Sequence, residues 1–136
     1  MLAPMEKDFR TGVRGFVEQM FFPPTDPRLR EWILSDMSAA PPAVARSAMI
    51  EYLSESVTGE AAGKFKEISI PVVCVNGSLW PVNVEANRRH IASFDAIILK
   101  GADHFLMLDR PEEFNRALEK AIDMVSGKAE KKSAVK

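Results

Sequence analysis

The sequence predicts an α/β fold in which a helical first part is followed by a βαβα edge of a parallel sheet. Three observations carry this. Up to about residue 55, apolar residues recur at helical spacing in three segments separated by prolines. Two short, β-branched runs, PVVCVNG and DAIILKG, then appear, each ended by a glycine, as buried parallel strands are. A helical pattern follows each run, and strand, helix, strand, helix is the order of a parallel sheet with crossovers. The expected organisation is a helical segment over residues 1–60, a βαβα part over 61–126, and a flexible lysine-rich tail over 127–136.

In the first part, Phe9, Val13, Phe16, Val17 and Met20 share one face, which predicts a helix over residues 8–21. Gly12 and Gly15 should weaken it by about 1 kcal/mol each relative to alanine. The run FFPPTDP stops it, because consecutive prolines cannot continue a helix. Asp26 followed by Pro27 is a start signal for a second helix, with Leu29, Trp32, Ile33 and Met37 on one side. Pro41 and Pro42 open a third, whose apolar side is expected to hold Ala45, Ala48, Met49, Tyr52 and Leu53.

In the second part, residues 72–75 form the first strand and VNVEANRRHI reads as the helix that follows, with His90 inside it as a surface or packing residue. DAIILKG is the second strand. The last helix, PEEFNRALEKAIDMV, should face the core with Phe114, Leu118, Ile122 and Val125. Asp109, three residues before Glu112, resembles a capping box.

Bulk properties narrow the function classes. An apolar fraction of 46% can form a core, and the net charge of −1 gives no electrostatic case for nucleic acid or an anionic membrane. No apolar run is long enough to span a bilayer, and no signal pattern opens the chain, so a cytoplasmic location is expected. The single cysteine, Cys74, excludes an internal disulfide and sits in a strand pattern as a packing residue. Two histidines and one cysteine, far apart, offer no metal spacing, and no cofactor is expected.

Two parallel strands, apolar on both faces, need paired neighbours along their edges. A sheet of only two such strands is not expected to stand alone. The sequence therefore predicts that a further segment, a second chain or self-association covers an open edge.

The stretch IPVVCVNGSLWPVNVEANRRHIASFDAIILKGADHFLMLDRPEEFNRAL resembles the C-terminal end of the α/β-hydrolase superfamily. There a PVxxxxG strand and a helix lead to a second strand, a G-x-x-H-F turn and a PEEF-type helix. The first part, with FFPPTDPRLREWILSDMSAAPP, resembles the cap that this family inserts before its last two strands. The resemblance implies a partial α/β-hydrolase fold. It places His104 on the family's catalytic histidine, a general base and then a general acid in a Ser-His-acid triad. In the complete form it implies a small ester-like or C–C substrate, with Trp80 and Phe105 flanking the histidine and Phe21, Phe22, Trp32 and Met37 forming a lid. Without the resemblance, His104 reads as a turn residue beside Asp103, and the aromatic residues as core packing.

The chain departs from the family at the other triad members. No G-x-S-x-G pentapeptide is present; the resemblance puts the nucleophile elbow on strands before residue 1. Where relatives often carry G-D-x-D, this chain reads Gly77, Ser78, Leu79, Trp80, with an indole in place of the acid. An acid from the strand before the cap, or Glu85 from the following helix, are the alternatives. Three readings stay open: the C-terminal part of a hydrolase, inactive alone; a non-catalytic binding module; and one subunit of a split hydrolase.

Overall fold

The computed structural model describes residues 2–127, so the tail expected from Gly127 lies, from Lys128 on, outside the described residues. The chain divides into two compact units, Met1–Ala61 and Ala62–Lys136. The architecture is mixed helix and strand, with one two-stranded parallel sheet.

The first unit holds α1 (Leu2–Lys7), α2 (Phe9–Val17) with a 3-10 turn over Glu18–Met20, α3 (Pro27–Ser38) and α4 (Pro42–Thr58). A short helix, α5 (Glu60–Phe65), contains the division between the units. Helix α1 is not legible in the sequence, because Pro4 argues against it; at the first turn, however, the missing N–H costs nothing. Its seat on α2 is Gly12. A Cβ there would lie 2.6 Å from the backbone nitrogen of Met5, and Met5 is buried. The glycine expected to weaken α2 is thus where α1 and α2 touch. Val13, Val17, Met20, Phe21, Ile33 and Leu34 complete the core.

Helix α2 starts where the sequence places it. Asp8 caps it, accepting from the Thr11 N–H at 3.2 Å and from the Thr11 hydroxyl at 2.7 Å. These bonds, the hydroxyl first, hold its carboxyl below the ordinary range. Because they favour the charged form, Asp8 titrates lower in the folded chain than in the unfolded one. The capping contribution is complete above the unfolded carboxyl pKa and is lost as pH falls through the folded one. Acidification through that window should therefore lower the protection of the first-turn amides of α2, their hydrogen exchange being compared at each pH with that of an unstructured chain. In Asp8→Asn, which keeps an acceptor but no titration, the protection should not follow pH in this way.

Asp26 and Pro27 start α3 as expected, with the Asp26 carboxylate accepting from the Arg28 N–H at 2.7 Å. Its packing side differs from the expected one. Ile33 and Leu34 are buried, whereas Trp32 is 57% exposed, because Arg14 and Glu31, paired at 2.7 Å, hold the adjoining side at the surface. Helix α4 departs further. None of its residues is buried; Ala45, Met49 and Leu53 are half-buried, while Ala48 and Tyr52 are exposed. Its contact is a narrow line of residues four apart rather than the broad face expected.

The second unit holds β1 (Val72–Gly77), α6 (Val84–Arg88), β2 (Phe94–Leu99), α7 (Leu106–Asp109) and α8 (Pro111–Val125). The strands pair in parallel from Val72↔Phe94 to Gly77↔Leu99. Helix α8 packs on them through Ala117, with Leu99, Ala102 and Leu106, and with Val75, Ile97 and Phe114 around these. The expected face of α8 is corrected by this packing. The buried residues are Ala117 and Ala121, small enough to bring the helix close, and Leu118, Ile122 and Val125 remain 39–51% exposed. The capping box is absent. Asp109 ends α7, an element too short to read from sequence, and the N-cap of α8 is Arg110, without a side-chain cap. Helix α6 is also shorter than expected, so His90 falls in the turn after it, its buried Nδ1 without a hydrogen bond among the described residues.

The two edges of the sheet are unlike. At the start of β2, two backbone groups are taken by side chains: Arg88 Nε donates to the Phe94 carbonyl at 2.9 Å, and Asp95 accepts from the Ala96 N–H at 2.8 Å. Charged groups on an edge in this way discourage further pairing. Among the described residues, only β2 bonds to the backbone of residues 72–76 in β1, whose side chains are half-buried.

Candidate functional site

The site is built at the carboxyl ends of the two strands, where open parallel sheets place their chemistry. After β1 the chain turns through Gly77 and Ser78; after β2 it turns through Gly101 to Phe105. Two hydrogen bonds join the turns. The Ser78 N–H donates to the Ala102 carbonyl at 3.0 Å, and the Gly101 N–H donates to Ser78 Oγ at 2.9 Å. The approach leaves no space for a side chain at Gly77, whose Cβ would lie 2.3 Å from the Asp103 carbonyl oxygen and 2.4 Å from that of Ala102.

Arg110 fixes the far side of the turn. Its guanidinium donates to the Gly101 carbonyl at 2.6 Å and to that of Lys100 at 3.3 Å. Within the turn, Asp103 is 1% exposed and its carboxylate accepts from the Phe105 N–H at 2.8 Å. Asp103 therefore shapes the loop that carries the next residue, a role that the sequence leaves unread.

That next residue is His104, which is exposed. Its imidazole makes no hydrogen bond or ion pair among the described residues. Two aromatic rings flank it: Trp80 at 5.4 Å between centroids, tilted by 53°, and Phe105 at 5.1 Å, edge to face. Trp80 is itself placed by its carbonyl, which accepts from Asn76 Nδ2 at 2.9 Å. A fixed turn thus presents an imidazole whose nitrogens make no hydrogen bond among the described residues.

Among the described residues no acid holds the ring. Glu85, one alternative for that role, pairs with Arg88 at 3.2 Å from a largely exposed position. Trp80, in the place where the resemblance would put the acid, offers a donor and no acceptor. The hollow bounded by Asn76, Gly77, Leu79, Trp80, Asp103 and His104 measures about 20 Å³, room for a single water and no substrate. Cys74 lies on β1 with its thiol pKa pushed up by burial, which suits packing rather than nucleophilic chemistry.

The residues expected to form a lid all belong to the first unit. Phe21 is buried in that unit's core with the Arg30 guanidinium 5.4 Å above its ring, and Phe22 is half-buried. Trp32 and Met37 are exposed, at 57% and 39%. Among the described residues there is no cluster that could hold a metal ion, and no helix long and apolar enough to cross a membrane. Ser78, Asn76 and Arg110 are the positioning residues that sequence reasoning passes over. The signal for the first two is the Asn-Gly-Ser run directly after an apolar strand; Arg110 has none beyond its place before Pro111. Comparison of the chain with protein-family models, with curated proteins and with solved structures returns no match.

Proposed function

We propose that this chain carries the general-base histidine of an α/β-hydrolase-type catalyst acting on a small ester-like or C–C substrate. The observation that supports it is His104: an imidazole without a hydrogen bond among the described residues, at the carboxyl ends of two parallel strands, on a turn fixed by backbone contacts. In this reading His104 takes the proton from a serine hydroxyl as it attacks the substrate carbonyl, then passes it to the leaving group. Serine and acid come from chain outside these 136 residues, in the same polypeptide or in a second one. The segment that brings them adds its strand to β1, since Arg88 and Asp95 occupy backbone groups at the start of β2 and place charges there.

A non-catalytic binding module is the competing reading, and Trp80 in the acid's place is what favours it. Isolation of the tagged protein from its native cells separates the two. The hydrolase reading expects the native form to turn over short-chain p-nitrophenyl esters, and the purified 136-residue chain to be no faster than free imidazole. A native form without turnover would favour the binding module. Turnover by the purified chain that disappears in His104→Ala would place the nucleophile inside these residues and overturn the assignment of serine to another segment.

A further inference from the structure

The first unit contains a cavity of about 340 Å³ that the proposed chemistry at His104 does not use. Its walls are apolar: Met5, Phe9, Val13, Phe16, Met37 and Met49 come from α1, α2, α3 and α4. Among the described residues that line it, the charged ones are Asp36 and Arg46, both exposed and of opposite sign. A larger hollow of about 970 Å³ along α1 and α2 is lined by Lys7, Asp8, Thr11 and Gln19 among others, and lacks such walls.

From this geometry we infer that the cavity is a binding site for an uncharged, apolar small molecule of one aromatic ring or a medium-length alkyl chain. Four features support the assignment. The volume lies within the range of small-molecule sites and is roughly twice the ~150 Å³ that accommodates a benzene in an apolar protein cavity. Three of the wall residues are methionines, whose unbranched, polarisable side chains adapt to ligands of differing shape. The charged pair at the wall cancels, so it selects neither an anion nor a cation. Finally, α4 buries none of its residues: its half-buried Ala45 and Met49 line the cavity instead of closing it. A ligand in the cavity supplies the apolar contacts that α4 otherwise lacks, so occupancy and the seating of α4 are coupled.

The methionines supply the test. The chain is labelled with 13C at the methionine methyl groups and titrated with toluene, each signal being followed by NMR. Met5, Met37 and Met49 line the cavity, Met20 is in the core of the same unit but not on the cavity, and Met107 and Met124 lie in the second unit. The expected result is a saturable shift of the first three signals with no shift of the other three. Ala45→Phe, which puts a ring into the cavity from its wall, should remove the shifts while the Met107 and Met124 signals keep their positions. Equal, non-saturating shifts at these six of the seven methionine methyls, or none at Met5, Met37 and Met49, would overturn the inference. Tighter binding of benzoate than of toluene would overturn the uncharged class.

Discussion

Replacing Gly77 with alanine is expected to destabilise the second unit by about 3 kcal/mol, the upper part of the range for forcing atoms into a packed site. The new Cβ would fall 2.3 Å from a backbone oxygen, and backbone cannot rotate away as a side-chain tip can. To relieve the overlap the turn after β2 must lift, and the hydrogen bonds between Ser78 and residues 101–102 go with it. Denaturant unfolding followed by Trp80 fluorescence, in a Trp32→Phe background, reads the effect. Gly15→Ala, in the first unit and followed through Trp32 in a Trp80→Phe background, is the matched control. It lies on an exposed part of α2 where a Cβ meets nothing within 4 Å, and helix propensity alone should make it stabilising by about 1 kcal/mol. Equal small effects at both positions would mean that Gly77 is not the tight contact described.

Removing the imidazole should have the opposite profile, a large loss of activity with little change in stability. His104→Ala in the native form is expected to lower kcat by about 10²–10⁴-fold, the usual contribution of a positioned general base. The side chain is exposed, with the rings of Trp80 and Phe105 beside it, so the unfolding free energy should change by no more than about 0.5 kcal/mol. The pairing of these two results matters, because a histidine that merely packed would show the reverse. A Gly77→Ala chain that still folds should lose activity as well, through displacement of His104 rather than loss of its chemistry.

Much of this framework can be read from the sequence, for identifiable reasons. Both strands, the starts of α2 and α3, and the start of α8 at Pro111 rest on local signals: β-branched runs closed by glycine, helical spacing from Phe9, Asp26 before Pro27. What the sequence hides is decided by tertiary fit. Alanine at 117 and 121 seats α8 close to the sheet and turns Leu118 and Ile122 outward, a choice that periodicity cannot distinguish within one broad apolar stripe. Gly12 looks like a weak point until α1 is seen resting on it. Helix α7 is a single turn, and with it the reading of Asp109 as a cap fails. At the site, the position of His104 after β2 is legible from local pattern. The parts that hold it are not: Ser78 reaches across 23 residues to Gly101, and Arg110 bonds to carbonyls nine and ten residues before it.

The labelling rate of the native form with a fluorophosphonate, which bonds only to an activated serine, bears on the base role of His104 without reference to any particular substrate. In wild type a serine outside the 136 residues should be labelled, and in His104→Ala the same serine should be labelled far more slowly, since nothing remains to take its proton. Labelling at the same rate in both forms, or no labelled serine in wild type, would contradict the assignment of His104 as a catalytic base.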